Sequence, residues 1–192
     1  MKLSIKAIAS VSALALMLPV TAVGSDRGPF YAGVSASQLT VNVDGVRGDF
    51  KPAAAIGRFG YFPARSLAIE ARLGVGVGDD SVTGLDFGVP VRITGELDSL
   101  YGIYAVGHLR SGANDQVSLY GLAGFSRAEF TARASAFGES ASASDSDNGF
   151  SFGVGAEVKV SPQFSINGEW VRYLDKSDYT VDGLSFGVNY FF

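Results

Sequence analysis

Apolar and polar residues alternate along most of this chain. The clearest run is Phe150 to Val160, where Phe150, Phe152, Val154, Ala156, Val158 and Val160 share one face. Ser151, Gly153, Gly155, Glu157 and Lys159 share the other. Leu184, Phe186, Val188, Tyr190 and Phe192 repeat the pattern against Gly183, Ser185, Gly187, Asn189 and Phe191. So do Leu67, Ile69, Ala71, Leu73 and Val75 against Ala68, Glu70, Arg72, Gly74 and Gly76, and Phe164, Ile166, Gly168 and Trp170 against Ser165, Asn167, Glu169 and Val171. A period of two predicts β-strands. Weaker alternation over 29–41, 50–62, 100–110 and 117–130 brings the expected number to eight. In 117–130 the pattern fits two orientations, with either Leu119, Ala123 and Phe125 or Tyr120 and Leu122 outward.

The connections alternate in length. Phe62–Ser66, Ser111–Asp115 and Ser161–Gln163 are short and rich in Pro, Gly, Ser and Asn, as tight turns require. Longer polar stretches separate them, at about 42–49, 78–99, 131–149 and 173–182. Short turns at one end and long loops at the other predict an up-and-down antiparallel barrel with both termini on the short-turn side. Ala132–Asn148, rich in Ser and Ala with scattered acids, reads as a mobile loop tip. In the Phe62–Ser66 turn, pairing Phe62 with Ser66 places Arg58 opposite Glu70.

The N-terminus follows a different rule. Lys2 and Lys6 precede the apolar run Ala7–Leu18, which Pro19 ends, and Val20-x-Ala22 and Val23-x-Ser25 offer small-residue cleavage sites. The run is too short for a helical span of ~20 residues. It has the anatomy of a secretory signal peptide covering residues 1–25, cut between 22 and 25, with 26–192 as the mature domain. Loss of the two lysines takes the formal charge from −4 to −6.

Composition narrows the chemistry. The chain has no Cys, one His and a net charge of −4, with 25 Gly among its 192 residues. No disulfide scaffold, thiolate zinc site or Cys nucleophile can be built. An acidic balance without clustered Lys and Arg argues against a nucleic-acid protein. A soluble lipocalin-like barrel and a membrane barrel share the same alternation, and the polar face separates them. Here the polar faces also carry most of the strand glycines, as a crowded lumen requires. Aromatic residues collect at strand ends, at Phe30, Tyr61, Phe62, Phe150, Phe164, Trp170, Tyr190 and Phe192, as interfacial girdles do.

The closing Leu184-x-Phe186-x-Val188-x-Tyr190-x-Phe192 strand, the Leu67-Ala-Ile-Glu-Ala-Arg72 segment and the opening Gly28-Pro-Phe-Tyr-Ala-Gly33 together resemble one family. It is that of the small eight-stranded bacterial outer-membrane barrels of the OmpA transmembrane-domain, OmpX and opacity-protein type. The resemblance covers the whole mature chain. It implies a Gram-negative outer-membrane location with both termini periplasmic, surrounded by membrane lipid and lipopolysaccharide. It also implies insertion by the outer-membrane assembly machinery and periplasmic chaperones, with Phe186, Val188, Tyr190 and Phe192 as the assembly signal. The peptidoglycan-binding domain that follows the barrel in OmpA has no counterpart in these residues, so cell-wall anchoring is not expected.

Candidate chemistry follows from the geometry. Arg58, Glu70, Arg72, Glu157, Lys159 and Glu169 fall on inward faces, since Arg or Lys facing lipid at the midplane costs roughly 2–4 kcal/mol. Three bases and three acids predict a paired structural network filling the lumen, in preference to a general acid–base pair. His108, the lone imidazole, falls near the periplasmic rim, away from outer-leaflet lipid. No catalytic, cofactor or metal site is therefore expected. The long stretches carry 13 acids against four bases, a local charge of −9. Expected roles are envelope structure and surface interaction through these acidic segments, ahead of a narrow solute or ion channel and an outer-leaflet lipid-modifying enzyme.

Overall fold

The computed structural model describes residues 28–43, 51–78, 80–86, 89–111, 115–136, 139–177 and 179–192. The apolar leader with its cleavage sites, and Asp44, Arg47, Asp49, Asp79 and Asp178 among the charges counted above, lie outside the described residues. The alternating segments form β1 (Phe30–Val43), β2 (Ala53–Ala64), β3 (Leu67–Gly78), β4 (Asp80–Asp86), β5 (Val89–Ser111), β6 (Val117–Ala136), β7 (Glu139–Lys159), β8 (Phe164–Asp175) and β9 (Tyr179–Phe191). All neighbours are antiparallel.

β3 and β4 both lie against β5, Leu67–Gly74 on its second half and Asp80–Asp86 on its first. The two segments share one position around the wall, so nine segments make the eight positions expected from the sequence. β1 pairs with β9 from Tyr31↔Phe191 to Val43↔Tyr179 and closes the barrel. Phe30 N donates to Phe192 O at 3.2 Å and Phe192 N to Phe30 O at 3.0 Å, so the first and last residues of the wall lock each other. Closure joins the first and last strands of the wall, while β4 pairs with β5 alone among the described residues.

Three sequence expectations change. The stretches 78–99 and 131–149 are largely strand: β4 pairs with β5 up to Asp86↔Val89, and β6 with β7 up to Ala136↔Glu139. The expected mobile tip at Ala132–Asn148 is therefore mostly a hairpin continuing the wall. Its short Ser and Ala side chains carry little hydrophobic signal, yet every residue still supplies a ladder N–H and C=O. The stretch 173–182 likewise divides between the end of β8 and the start of β9.

The second change is the register of the first hairpin. Arg58 faces Arg72, and Glu70 faces Gly60. β2 runs on to Ala64, which pairs with Leu67, and the ladder is irregular between Tyr61 and Ala64. Pro63 lies in that stretch and has no N–H to give. The shift is two residues, so the inward faces survive while their partners change.

The third concerns the aromatic residues. At the terminal end of the barrel, Phe30 packs against Phe59, Tyr61 and Phe192, while Tyr190 packs against Phe164 and Phe192. Phe125, Phe150, Phe152 and Trp170 form a second belt further along β6–β8. Phe62 belongs to neither: its ring sits among Tyr31, Phe191 and His108. The ladder irregularity after Tyr61 takes Phe62 out of the outward series. In β6, Leu119, Ala123 and Phe125 face outward while Tyr120 and Leu122 are buried, which resolves the two orientations left open by the sequence.

Candidate functional site: the filled lumen

Period-two alternation aims every second side chain of eight strands at one narrow axis. An eight-stranded barrel has an interior about wide enough for side chains alone. Arg58 from β2, Glu70 and Arg72 from β3, and Glu169 from β8 meet there, each 5% exposed or less. Glu169 is the hub. Its Oε1 accepts from Arg58 Nη2 at 2.9 Å and from Arg72 Nη1 at 2.6 Å. Its Oε2 accepts from Arg72 Nη2 at 3.0 Å and from the Tyr120 hydroxyl at 2.9 Å. Arg72 Nε donates to Glu70 Oε1 at 2.6 Å, and Tyr31 donates to the other Glu70 oxygen. Two guanidinium groups and two carboxylates cancel, so the cluster itself carries no net charge. The fork geometry of Arg suits such shared carboxylates.

Tyrosines complete the shell, and charge alone gave no reason to select them. Tyr104 lies under the Arg72 guanidinium, 4.8 Å from carbon to ring centre, and its hydroxyl meets Ser126 Oγ. Arg72 Nη1 lies 3.4 Å from the Tyr173 hydroxyl, and Arg58 Nη2 donates to Ser35 Oγ at 2.8 Å. Close approach explains two of the inward glycines: a Cβ on Gly60 would overlap the Tyr31 ring, and one on Gly155 the Tyr120 ring. A tyrosine directly across from a glycine on the adjacent strand, as in Tyr31↔Gly60 and Tyr120↔Gly155, is the signal that finds these residues.

Glu157 is also inward and buried but joins a different group, accepting from Asn189 Nδ2 at 3.0 Å. Lys159 is half-buried near the end of β7. Four of the six charged residues singled out by sequence thus meet in one cluster, and these two sit nearer the terminal end.

His108 lies at that end too, buried between the rings of Phe62 and Tyr120. Its Nδ1 is 3.1 Å from Ser118 Oγ, and Ser118 faces Glu157 across β6–β7. Among the described residues, no three His, Asp or Glu side chains gather as a metal set.

The opposite end is acidic and half-exposed. Asp147 accepts from Lys176 Nζ at 2.8 Å and from the Tyr179 hydroxyl at 2.8 Å, which holds its carboxyl below the usual range. Arg172 grips Asp182 through Nε at 2.8 Å and Nη2 at 3.1 Å. At the turn end, Asp115 has a left-handed backbone, φ 54°, and accepts from Arg65 at 2.8 Å, which lowers its carboxyl.

Compared with known proteins, residues 7–192 match the family model described as outer membrane protein beta-barrel domain. Among solved structures, the chain is similar to Ail, the attachment invasion locus protein of Yersinia pestis, at 21% identity and TM-score 0.60, over 86% of this chain and 99% of that one. Ail has also been solved in complex with the heparin analogue sucrose octasulfate. OprG from Pseudomonas aeruginosa matches at 13% identity and TM-score 0.57, over 88% and 98%. Neisserial surface protein A matches at 15% and 0.55, over 86% and 98%. These identities speak to the fold alone. No curated protein matches by sequence.

Proposed function

The chain belongs to the outer membrane protein β-barrel family, and on that footing we propose that it is a closed, non-enzymatic barrel that serves the envelope structurally and meets partners through its acidic outer end. Residues 1–25 are removed on export, both termini face the periplasm, and the Phe186–Phe192 face is read by the assembly machinery with its chaperones. The observation that carries the closed reading is a lumen filled along its length by buried side chains, the Arg58–Glu70–Arg72–Glu169 cluster that ties β8 to β2 and β3 and the aliphatic residues around Leu39 and Leu100 beyond it. Catalysis is disfavoured by the place of His108 at the terminal end, away from outer-leaflet lipid.

The outer segments carry 13 acids against four bases. A polyanion of the kind seen with Ail is the wrong sign for this surface. A cationic protein or peptide is complementary, and divalent cations bridging to lipopolysaccharide suit the same oxygens. Cells displaying the protein are expected to retain cationic peptides in a salt-sensitive way, and to lose that retention when Asp145 and Asp175 are changed to Asn. Equal retention by cells with and without the protein overturns the surface reading. Altered lipid A in expressing cells, reversed by His108→Ala, overturns the non-enzymatic one.

A further inference from the structure

Two kinds of surface line the lumen, and their proportions change along its axis. Toward the terminal end lie polar groups that the protein's own bonds do not saturate: Arg58 Nε, Ser165 Oγ, Asn189 Oδ1 and both amide atoms of Asn167 are buried without a protein partner. Buried polar atoms in native proteins are satisfied by protein or by water, so these groups offer water a foothold that an apolar lining does not. Beyond the arginines the lining changes. Leu39, Ile56, Leu97, Leu100, Leu174 and Val181 are each 2% exposed or less and form the aliphatic part of a buried cluster that continues toward the terminal end through Val106, Leu122 and Phe191.

Two irregularities build this layer. Regular alternation turns only one of two successive residues inward. The ladder of β5 with β6 shifts between Leu97 and Ser99, and that of β8 with β9 between Arg172 and Leu174. The first brings both Leu97 and Leu100 inside; the second brings both Tyr173 and Leu174 inside. Such bulges re-aim side chains. Glycines opposite make the room: a Cβ on Gly74 would press on Ile56 and Leu100, and one on Gly183 on Tyr173 and Leu39.

We propose that this aliphatic layer, and not the ion-pair cluster, is the seal of the barrel. The inner half is then a hydrated vestibule lined by Asn167, Asn189, Ser165 and the arginines, and the outer half is a dry plug. An aliphatic layer offers an ion no hydrogen-bond partner, and apolar constrictions close by excluding water. Breaking one ion pair leaves that layer intact. The inference rests on the closed-barrel reading above.

The test compares purified variants in planar bilayers. Wild type and Glu169→Gln are both expected to be silent, whereas Leu39→Ser combined with Leu100→Ser is expected to give resolvable conductance steps. Conductance from Glu169→Gln against a silent wild type overturns the inference, and so does silence from a folded double variant. Conductance from wild type overturns the closed-barrel reading itself. The chain has no Cys, which permits a second test without altering the layer. On whole cells, a charged thiol reagent added outside is expected to label Ser146→Cys and to leave Ser37→Cys, immediately beneath Leu39, unlabelled. Labelling of Ser37→Cys overturns the seal. Failure to label Ser146→Cys contradicts the assigned orientation instead.

Discussion

The two halves of the lumen solve the same packing problem with opposite chemistry. In the inner half, Arg58, Glu70, Arg72 and Glu169 interlock through charge-assisted hydrogen bonds, with tyrosine hydroxyls and Ser35 taking the remaining valences. In the outer half, Leu39, Leu97, Leu100, Leu174 and Val181 fill the same cross-section by shape. A membrane barrel is expected to be polar inside and apolar outside. Here that rule holds for the lower half, whereas above it the inside turns apolar too while Leu73, Val75 and Leu184 keep the outside apolar. The difference teaches that the outer half is stabilised as a soluble protein is, by burial of aliphatic side chains, while the inner half depends on exact matching of charges.

The seam serves both halves, so cutting it has the largest effect. Deleting Tyr190–Phe192 removes the Tyr31↔Phe191 and Ala32↔Tyr190 pairs and the mutual hydrogen bonds of Phe30 and Phe192. It also removes the residues expected to signal assembly. Degradation or aggregation in the periplasm is expected; normal outer-membrane levels on fractionation contradict it.

Next comes the hub of the inner half. Glu169→Ala leaves Arg58 and Arg72 buried with Glu70 alone. Removing one partner of a buried pair costs about 3–5 kcal/mol. Glu70→Ala is expected to cost less, because Arg72 keeps Glu169. Urea unfolding in lipid vesicles orders the two variants. A Glu169→Ala barrel as stable as wild type shows that the cluster does not hold the inner half together.

In the outer half, Leu100→Ala leaves a cavity beside Ile56 and Gly74, at a cost of about 2–5 kcal/mol for a fully buried aliphatic. Here the comparison sharpens. The loss from Leu100→Ala is expected to be independent of salt and of pH between 5 and 9. The loss from Glu169→Ala is expected to shrink when Arg72 is first replaced by Met. Equal behaviour of the two variants in these backgrounds removes the distinction between the halves.

Much of this was legible in the sequence, for physical reasons specific to each residue. Alternation placed Glu70, Arg72, Glu157 and Glu169 inward because one face of a lipid-bound strand excludes charge. Which carboxylate meets which base was not legible. Partner identity depends on register, and register depended on how the chain passes Pro63. The apolar layer was hidden for a similar cause: a bulge at Asp98 or Tyr173 shifts the phase of alternation, so Leu97 and Leu174 fell within stretches expected to be loops. The hairpin over 131–149 was missed because Ser and Ala alternate with little contrast in hydropathy. Tyr31, Tyr104, Tyr120 and Tyr173 were overlooked because an uncharged side chain can face either lipid or lumen.

The smallest expected effect lies at the acidic end. Lys176 and Tyr179 hold the Asp147 carboxyl below its usual range. A carboxyl lowered on folding contributes stability that is fully present above its unfolded pKa of ~3.9. That contribution is lost as the pH falls through the lowered folded value. Exposed pairs of this kind are worth roughly 0.2–1 kcal/mol. Wild type is therefore expected to lose a small increment below about pH 4 that Asp147→Asn lacks at every pH. Parallel pH profiles for the two proteins remove Asp147 from the account.

Single-channel recording of the pure wild-type protein in planar bilayers tests the central claim most directly. A lumen filled by a neutral ion-pair cluster below and an aliphatic layer above is expected to give a silent membrane at every voltage that the bilayer withstands. A steady, ohmic conductance that scales with the amount of protein contradicts it.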